Sequence, residues 1–441
     1  MRRSIALVYP YFRTAAPNQQ LFPPLGIASL TSQMRSIGLD VTQVDCTFKT
    51  FDEAVADITK SNPSIVGIYV MVTMRKPALR LLEALKRLLP EALFVTGGPL
   101  PTLYPERFAD RFDIVFRGEA DLTFPSFCKD YLQLNDRDQF RSSLDLSEYP
   151  GLFLLDKGET IQNPALNHPQ EVIDSLPIPD RSDMDHRSYQ DFWQERTGGK
   201  MATIMATRGC CYNCDFCSKP IFGNVIRKRS IGRVIEEIRD IATWGYDHLW
   251  IADDSFTLDL DYVEEFCRAM IASQLGFKWS CLSRVGTINE DIIGLMKKAG
   301  CTKVYLGLES GSDRTLRLMK KGTTVEEGIR AVHLFNDAGI RVGAFFIVGY
   351  PGETSESIES TFKLALCHPF DEISFNVPFP LPGSALFSRV GVVSSDQDWE
   401  IENEVRFVYR SEFDEGWLRK RINDTMDQFT RSRSTITSNE R

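Results

Sequence analysis

Short apolar runs alternate with helix-periodic stretches along two blocks of this 441-residue chain, and this alternation constrains the fold more than any other feature. In the first block, Ser4–Tyr9 and Ser64–Val72 are apolar runs typical of strands buried on both faces, and Ile114–Phe116 is the last such run. The first helical stretch ends at Gly38, a common helix terminator. The pattern predicts an α/β fold with a doubly wound parallel sheet, whose ligands bind beyond the carboxyl ends of the strands.

The second block begins with a strand at Ala202–Ala206 and ends with one at Glu372–Val377, and it repeats the strand and helix unit six times. Six units are too few to close a barrel that needs eight strands. The block is therefore predicted to form a partial (β/α)6 barrel with its functional groups at the carboxyl ends of the strands.

The patterns divide the chain into four segments, 1–135, 136–200, 201–385 and 386–441. The second segment reads as a connector with a hairpin at Gly151–Ile161, in which His168 and His186 are predicted to lie at the surface. The last segment is predicted to be a small C-terminal cap containing Trp399 and a helix at Trp417–Phe429. The polar residues after 429 are predicted to be disordered.

Composition places the chain among ordinary globular proteins, with 43% hydrophobic and 25% charged residues. The formal charge of −9 argues against broad nucleic-acid binding, which needs a basic surface. No apolar run approaches the roughly 20 residues that span a bilayer, so no membrane span is expected. Ten cysteines without a signal peptide predict a reducing, cytoplasmic location and not a disulfide scaffold.

One short loop, Arg208–Ser218, carries three cysteines in the spacing Cys-x3-Cys-x2-Cys. We call Cys210, Cys214 and Cys217 the cluster cysteines and the segment the cysteine loop. Three thiolates on a four-iron cluster leave one iron open to a substrate or cofactor, whereas electron-transfer clusters generally have four cysteines. The alternatives are a zinc site, which requires four ligands and usually two separated pairs, or buried thiols, the interpretation we give to the cysteines outside this loop.

The cysteine spacing, with aromatic Phe216 before the last cysteine, resembles the radical S-adenosylmethionine (SAM) superfamily. The resemblance implies a [4Fe-4S] cluster on the cluster cysteines, with SAM chelated at the open iron and cleaved to a 5′-deoxyadenosyl radical. It also implies an electron donor such as flavodoxin or ferredoxin. The partial barrel is part of the same resemblance, which covers most of the segment 201–385.

The resemblance also assigns SAM-binding residues at the strand ends of the barrel. Arg284 would meet the SAM carboxylate through a bidentate fork, and Glu309 in Gly-Leu-Glu-Ser-Gly would bind its polar groups. Asp253 would reach the ribose hydroxyls, while Phe216 and Gly349 would border the adenosine. The alternative for the charged residues is a set of ion pairs at the barrel mouth, and the alternative for Gly349 is a turn former.

Three glycine-containing motifs in the first segment, Phe22–Gly26, Gly97–Pro99 and Arg117–Glu119, resemble the cobalamin-binding domain that precedes many radical SAM cores. Glycines allow the backbone to approach a flat macrocycle and leave N–H groups free to bond it, although they can also simply form turns. The resemblance predicts that the cobalamin-binding residues are Thr73, Gly97, Gly98, Gly118 and Glu119.

The sequence departs from other cobalamin folds in one respect, because the Asp-x-His-x-x-Gly element is absent. Asp45 is followed by Cys46, Thr47 and Phe48, and the first histidine of the chain is His168. We therefore predict cobalamin with its own base detached and no protein histidine on its lower face. The loop Val72–Arg75 is predicted to pack against that face.

Together the resemblances imply a cobalamin-dependent radical SAM enzyme that methylates an unactivated carbon of a small molecule of the natural-product or lipid type. In such enzymes methylcobalamin supplies the methyl group and a 5′-deoxyadenosyl radical removes the substrate hydrogen, so that the protein contributes mainly orientation and exclusion of water. A cobalamin-dependent cyclase or ring-rearranging enzyme would share every motif. A tRNA methylthiotransferase-like enzyme and a non-catalytic cobalamin carrier are further alternatives.

Overall fold

The computed structural model describes residues 4–14, 19–134, 137–217, 221–286, 288–391 and 406–439, the last six without their side chains. The chain forms two compact units. The first comprises Met1–Thr203, Ile221–Gly223 and Arg227–Tyr246, and the second comprises Ile204–Pro220, Asn224–Ile226 and Asp247–Arg441.

The first unit is built on a seven-stranded sheet in the order β2-β1-β3-β4-β5-β6-β7. Its strands are β1 Ser4–Tyr9, β2 Asp40–Asp45, β3 Ile65–Tyr69, β4 Leu93–Gly97, β5 Ile114–Phe116, β6 Leu152–Asp156 and β7 Glu159–Gln162. The first five are parallel, whereas β6 and β7 pair antiparallel with their neighbours. The predicted doubly wound parallel sheet is confirmed, and the hairpin predicted in the connector extends it.

Ten helices accompany this sheet within the described part of the first unit. They are α1 Leu25–Ser36, α2 Phe51–Lys60, α3 Arg75–Leu88, α4 Pro99–Leu103, α5 Glu106–Ala109, α6 Thr123–Tyr131, α7 Phe140–Ser143, α8 Gln170–Ser175, α9 His186–Thr197 and α10 Ile231–Thr243. Short 3-10 helices lie at Val72–Met74, Arg137–Gln139 and Leu146–Glu148.

Both faces of the first sheet are buried, which explains the continuous apolar runs of its sequence. Ala6 and Val8 of β1 enter one core cluster, while Ile5 and Leu7 enter the other. Because successive side chains of a strand point to opposite faces, only a run without alternation satisfies both clusters. A capping box between Thr50 and Glu53 begins the neighbouring helix α2.

The second sheet has six strands in the order β15-β14-β13-β12-β11-β8, and the pairs from β11 to β15 are parallel. Its strands are β8 Met201–Ile204, β11 His248–Ile251, β12 Lys278–Ser283, β13 Cys301–Glu309, β14 Arg341–Ile347 and β15 Glu372–Asn376. The boundary between the two units falls within β8. The two-residue strands β9 Thr207–Arg208 and β10 Arg227–Lys228 lie outside this sheet. The predicted partial barrel is confirmed.

Helices follow the strands of the second unit as the sequence predicts. They are α11 Leu260–Ser273, α12 Glu290–Lys298, α13 Asp313–Leu318, α14 Val325–Asp337, α15 Ser355–Cys367, α16 Ala385–Arg389 and α17 Glu415–Asn439, with a 3-10 helix at Phe256–Leu258. The side chains of Asp259 and Asn289 cap α11 and α12. Within the described residues, no helix combines the length and apolar character that crossing a bilayer requires.

The C-terminal segment packs on the second unit through an apolar cluster that includes Val348, Phe362, Phe407 and Leu418. Helix α17 continues to Asn439, so the disorder predicted after residue 429 is wrong for residues 430–439. Trp399, assigned to the cap from sequence, lies outside the described residues.

The stretch predicted to be a loose connector belongs to the first unit. Its Tyr189 donates a hydrogen bond to Asp45 at 2.7 Å, and buried Trp193 donates to the carbonyl of Leu21 at 2.8 Å. The surface positions predicted for the two histidines are wrong. His168 is buried, and half-buried His186 stacks on Trp244 with 4.2 Å between ring centroids.

Candidate functional site

The cysteine loop begins where the chain leaves β9. Gly209 has a φ of +89°, and its N–H donates to the carboxylate of Asp254 at 3.0 Å. The cluster cysteines are all partly exposed, Cys211 is fully exposed, and the N–H of Cys217 donates to the carbonyl of Cys214 at 3.3 Å. The loop therefore presents three accessible thiols within a short segment of chain. Ser218 at the end of the loop lies outside the described residues.

Arg284 follows β12 and lies against the cysteine loop. Its Nη1 is 3.5 Å from Sγ of Cys214, and its guanidinium carbon is 3.5 Å from the ring centroid of Tyr212. The side chain is buried, so its charge acts on the thiol with little screening by water. This cation would offset the negative charge of a thiolate bound to iron.

Burial is the largest influence on the thiol of Cys210 and raises its pKa, against a backbone hydrogen bond from Tyr212 that lowers it. A coordinated metal deprotonates such a thiol. Throughout the described residues, no three His, Cys, Asp or Glu side chains are grouped closely enough to hold one metal ion. Three thiols from one short loop fit a cluster in which each thiolate binds a separate iron.

Glu309 ends β13 in the left-handed region, with a φ of +64°. Its Oε1 accepts a hydrogen bond from Nζ of Lys321 at 2.7 Å, and both side chains are buried. A Cβ at Gly307 would lie 2.5 Å from that oxygen and 2.9 Å from that nitrogen, so only glycine is compatible with the pair. Lys321 was missed in the sequence, where it stands twelve positions from its partner.

The ion pair lies close to Arg284. A Cβ on Gly322, the residue after Lys321, would be 3.6 Å from Nη2 of Arg284. The structure thus brings together two predicted SAM residues, Arg284 and Glu309, on the neighbouring strands β12 and β13. The cations Arg284 and Lys321 and the carboxylate of Glu309 at these strand ends are suited to a zwitterionic amino acid moiety. Its carboxylate can pair with arginine, and its amine can donate to a carboxylate.

Asp253 is held by hydrogen bonds within its own unit. The side chain is completely buried; one oxygen accepts the N–H of Ala206 at 2.7 Å and the other accepts the hydroxyl of Thr207 at 2.8 Å. Burial raises its pKa to about 7, although the hydrogen bonds oppose the shift. Both oxygens therefore hold the chain that leads into the cysteine loop, and the contact of Asp253 with the SAM ribose stays a prediction.

Gly349 forms a turn after β14 with a φ of +80°. The N–H groups of Gly349 and Tyr350 both donate to Oε2 of Glu353, at 2.9 and 3.0 Å. A Cβ on Gly349 would lie 2.7 Å from the ring of Phe407, so glycine is required by both conformation and space. Phe216 packs on the apolar cluster that includes Tyr350, which places these two predicted adenosine neighbours at one edge of the unit.

In the first unit, four strands end together at the carboxyl edge of the sheet. Tyr9 pairs with Asp45 and Tyr69 pairs with Gly97, and each of these residues is the last of its strand. The strand order reverses between β1 and β3, and in doubly wound sheets the ligand crevice opens at this reversal. Tyr9 and Tyr69 flank it, half-buried, with ring centroids 5.6 Å apart.

The predicted cobalamin glycines do not have the open surroundings we expected. A Cβ on Gly98 would lie 2.8 Å from the carbonyl oxygen of Val70, and one on Gly118 would lie 3.1 Å from Ala165. The N–H of Gly118 donates to the hydroxyl of Thr102 at 3.0 Å. These glycines permit close packing of the protein itself.

The two predicted cobalamin residues that are not glycines, Thr73 and Glu119, differ in their exposure. Glu119 is buried in an ion pair with Arg227 at 2.6 Å, and the same oxygen accepts the N–H of His168 at 2.6 Å. These contacts lie within the first unit, and the contact of Glu119 with cobalamin stays a prediction. Thr73 is exposed in the 3-10 helix that follows β3, and Gly97 ends β4 beside Tyr69.

The residues fit the groups that the motifs imply. The cysteine loop offers three accessible thiols beside a buried cation, and the β12 and β13 ends offer charges of both signs. The crevice between β1 and β3 offers two partly exposed phenol rings suited to a flat macrocycle. The contact between Tyr9 and Tyr69 was missed in the sequence because the order of strands cannot be read from one strand. The available signal was a tyrosine in each of two apolar runs.

Comparison with known proteins agrees with this description. The sequence matches the family model of the radical SAM superfamily over residues 204–365 and that of the B12 binding domain over residues 15–127. It is 32% identical over 372 residues to the uncharacterized methyltransferase PH0819 of Pyrococcus horikoshii, a match that covers 83% of this chain and 78% of that protein. It is 29% identical to an anaerobic magnesium-protoporphyrin IX monomethyl ester cyclase of Rubrivivax gelatinosus, a match that covers 92% of this chain and 74% of the cyclase.

Among solved structures, the chain is similar to the radical SAM methyltransferase TsrM of Kitasatospora setae with cobalamin and a [4Fe-4S] cluster bound. The TM-score is 0.74 at 19% identity, and the match covers 88% of this chain and 78% of TsrM, which shows a shared fold. The chain therefore belongs to the radical SAM superfamily, and with its B12 binding domain it is a cobalamin-dependent member that uses a [4Fe-4S] cluster, SAM and cobalamin.

Proposed function

We propose that this enzyme is a methyltransferase that acts on an unactivated carbon of a small molecule of the natural-product or lipid type. The observation that carries the proposal is the crevice between β1 and β3, which is bordered by Tyr9 and Tyr69 in a chain whose first histidine is His168. Cobalt without a histidine below it is easier to reduce to the nucleophilic state that accepts a methyl group. The relative PH0819, named a methyltransferase, supports the same activity.

The protein's own residues have separable tasks in this proposal. The cluster cysteines hold the [4Fe-4S] cluster, and Arg284 neutralises the thiolate of Cys214 and the SAM carboxylate. Glu309 accepts from the SAM amine, and Lys321 donates a hydrogen bond to the same carboxylate. When bound, the cluster with SAM supplies hydrogen abstraction from carbon, and cobalamin supplies the methyl group.

The turn at Gly349 and the C-terminal segment exclude water from this edge. Phe407 closes over Gly349, and the hydroxyl of Tyr409 donates to the Gly349 carbonyl at 3.4 Å. A dry site matters because a carbon radical must meet the methyl donor before it meets other hydrogen donors. The electron required at the cluster is proposed to come from a low-potential flavodoxin or ferredoxin.

A cobalamin-dependent cyclase is the second candidate. It is favoured by the similarity to the magnesium-protoporphyrin IX monomethyl ester cyclase, which extends over 92% of this chain. The two functions differ in what becomes of SAM. Methylation consumes one SAM as methyl donor and yields S-adenosylhomocysteine, whereas cyclisation yields 5′-deoxyadenosine without it.

The test uses anaerobically reconstituted protein, a reduced flavodoxin, SAM with a deuterium-labelled methyl group, and fractionated small-molecule extracts. We expect a product that carries the label on carbon, with S-adenosylhomocysteine and 5′-deoxyadenosine formed together. The Cys214→Ala variant and cobalamin-free protein serve as controls and should form no labelled product. A mass change without the label, and without S-adenosylhomocysteine, would replace methylation by cyclisation or rearrangement.

A further inference from the structure

Asp215 stands inside the cysteine loop, between Cys214 and Cys217, and is held from several directions. Its side chain is 3% exposed. Its Oδ2 accepts a hydrogen bond from the hydroxyl of Tyr350 at 2.7 Å and lies 3.0 Å from Nη2 of Arg389. A carboxylate buried to this degree is retained only when its charge is paired and hydrogen-bonded.

The backbone of the same residue is also tied to neighbouring elements. The N–H of Asp215 donates to the carbonyl of Met319 after α13, and its carbonyl accepts from the N–H of Leu386 in α16, both at 2.9 Å. Asp215, which lies between two cluster cysteines in the sequence, is therefore fixed through both its side chain and its backbone.

We propose that Asp215 and Arg389 form a charge pair that sets the reduction potential of the [4Fe-4S] cluster. A negative charge beside a cluster disfavours the addition of an electron, and net charge and hydrogen bonding are main determinants of cluster potentials. Arg389 offsets the carboxylate at 3.0 Å, so the loop keeps a fixed anchor without making the cluster harder to reduce. The proposal rests on the family assignment and not on methyl transfer.

Lys320 provides a matched comparison for Arg389. Its Nζ lies 3.8 Å from Oδ1 of Asp215, and its side chain is 64% exposed against 42% for Arg389. The guanidinium of Arg389 is also positioned by the ring of Tyr350, whose centroid is 5.4 Å away. An exposed ammonium at longer distance is screened by water and contributes little. Arg389 is therefore the cation whose removal exposes the charge of Asp215.

The experiment is a redox titration of the reconstituted holoenzyme, followed by the paramagnetic resonance of the reduced cluster. Arg389→Met should lower the potential, Asp215→Asn should raise it, and the double variant should return close to the wild-type value. Arg389→Lys should restore most of the Arg389→Met shift, and Lys320→Met should have a much smaller effect. Iron and sulfide content identifies the variants that keep a complete cluster.

Shifts of opposite sign that cancel in the double variant separate this role from a purely structural one, because loosening the loop would move every variant in the same direction. The proposal is overturned if Asp215→Asn, which keeps the shape of the side chain, leaves the potential unchanged or lowers it. It is equally overturned if Arg389→Met holds a full cluster at the wild-type potential.

Discussion

Asp253 gives the sharpest test of how the cysteine loop is positioned. Its carboxylate is completely buried and bonded to Ala206 and Thr207, and burial raises its pKa from the ordinary 3.8 to about 7. An Asp253→Asn variant keeps the size of the side chain and an oxygen for the Ala206 N–H. Its amide can donate to the Thr207 oxygen after the hydroxyl rotates, so the variant removes the charge while retaining the two contacts.

The stability effect follows from proton linkage. Below pH 4 the group is protonated in both folded and unfolded chains and makes no difference. Between about pH 4 and 7 only the unfolded chain ionises, so the folded protein loses about 1.4 kcal/mol per pH unit. Above pH 7 the loss is constant at about 4 kcal/mol, since three pH units separate the two pKa values.

We therefore expect Asp253→Asn to match the wild type near pH 4 and to exceed its free energy of unfolding by up to about 4 kcal/mol at pH 8. Denaturant unfolding of the cluster-free proteins at a series of pH values measures the difference. Asp261→Asn is the control, because it removes the same charge from an exposed carboxylate in the first turn of α11. Parallel curves for wild type and Asp253→Asn would refute the reasoning, and a loss of SAM affinity with unchanged stability would support the ribose role.

Replacing any cluster cysteine by Ala should abolish iron loading and 5′-deoxyadenosine formation, whereas Cys211→Ala should preserve both. Iron analysis measures the loading and chromatography measures 5′-deoxyadenosine, and an essential Cys211 would contradict the assignment of the cluster cysteines. Arg284→Ala and Glu309→Ala should each weaken SAM binding by about 1.5 to 3 kcal/mol without loss of the cluster, as isothermal titration can measure. Lys321→Met should weaken SAM binding as Glu309→Ala does, because it leaves the Glu309 carboxylate buried without its cation. Unchanged SAM affinity in the Arg284, Glu309 and Lys321 variants would mean that these residues form only structural ion pairs. The paramagnetic resonance spectrum of the Co(II) form of bound cobalamin should show no hyperfine splitting from a coordinated nitrogen. Observation of such splitting would contradict the prediction of a histidine-free lower face.

Sequence periodicity predicted the elements well where local signals agreed with the fold. The helices Leu260–Ser273 and Glu290–Lys298 belong to the predicted strand and helix units. Each begins after an N-cap residue, Asp259 or Asn289, that precedes an amphipathic run. Helix α9 was missed because its composition is polar, although Asp185 caps its start and Gly198 ends it in the left-handed region.

The site was harder to predict, because it depends on contacts that single positions do not encode. The contact of Tyr9 with Tyr69 follows from the strand order, which places β1 beside β3. The buried pair of Glu309 and Lys321 forms across a helix and a turn, and Asp253 turns toward the backbone instead of outward. Motifs therefore named the correct loops, while the roles of the charged residues within them required the three-dimensional structure.

The proposed methyl transfer can be tested before any substrate is identified. Reconstituted protein is incubated anaerobically with cobalamin, a low-potential reductant and SAM with a deuterium-labelled methyl group, and the cofactor fraction is analysed by mass spectrometry. Methyl transfer predicts that the label appears on cobalamin, with S-adenosylhomocysteine formed in equal amount and none formed when cobalamin is omitted. Protein that holds both metal cofactors and cleaves SAM to 5′-deoxyadenosine, yet leaves cobalamin unlabelled, would contradict it.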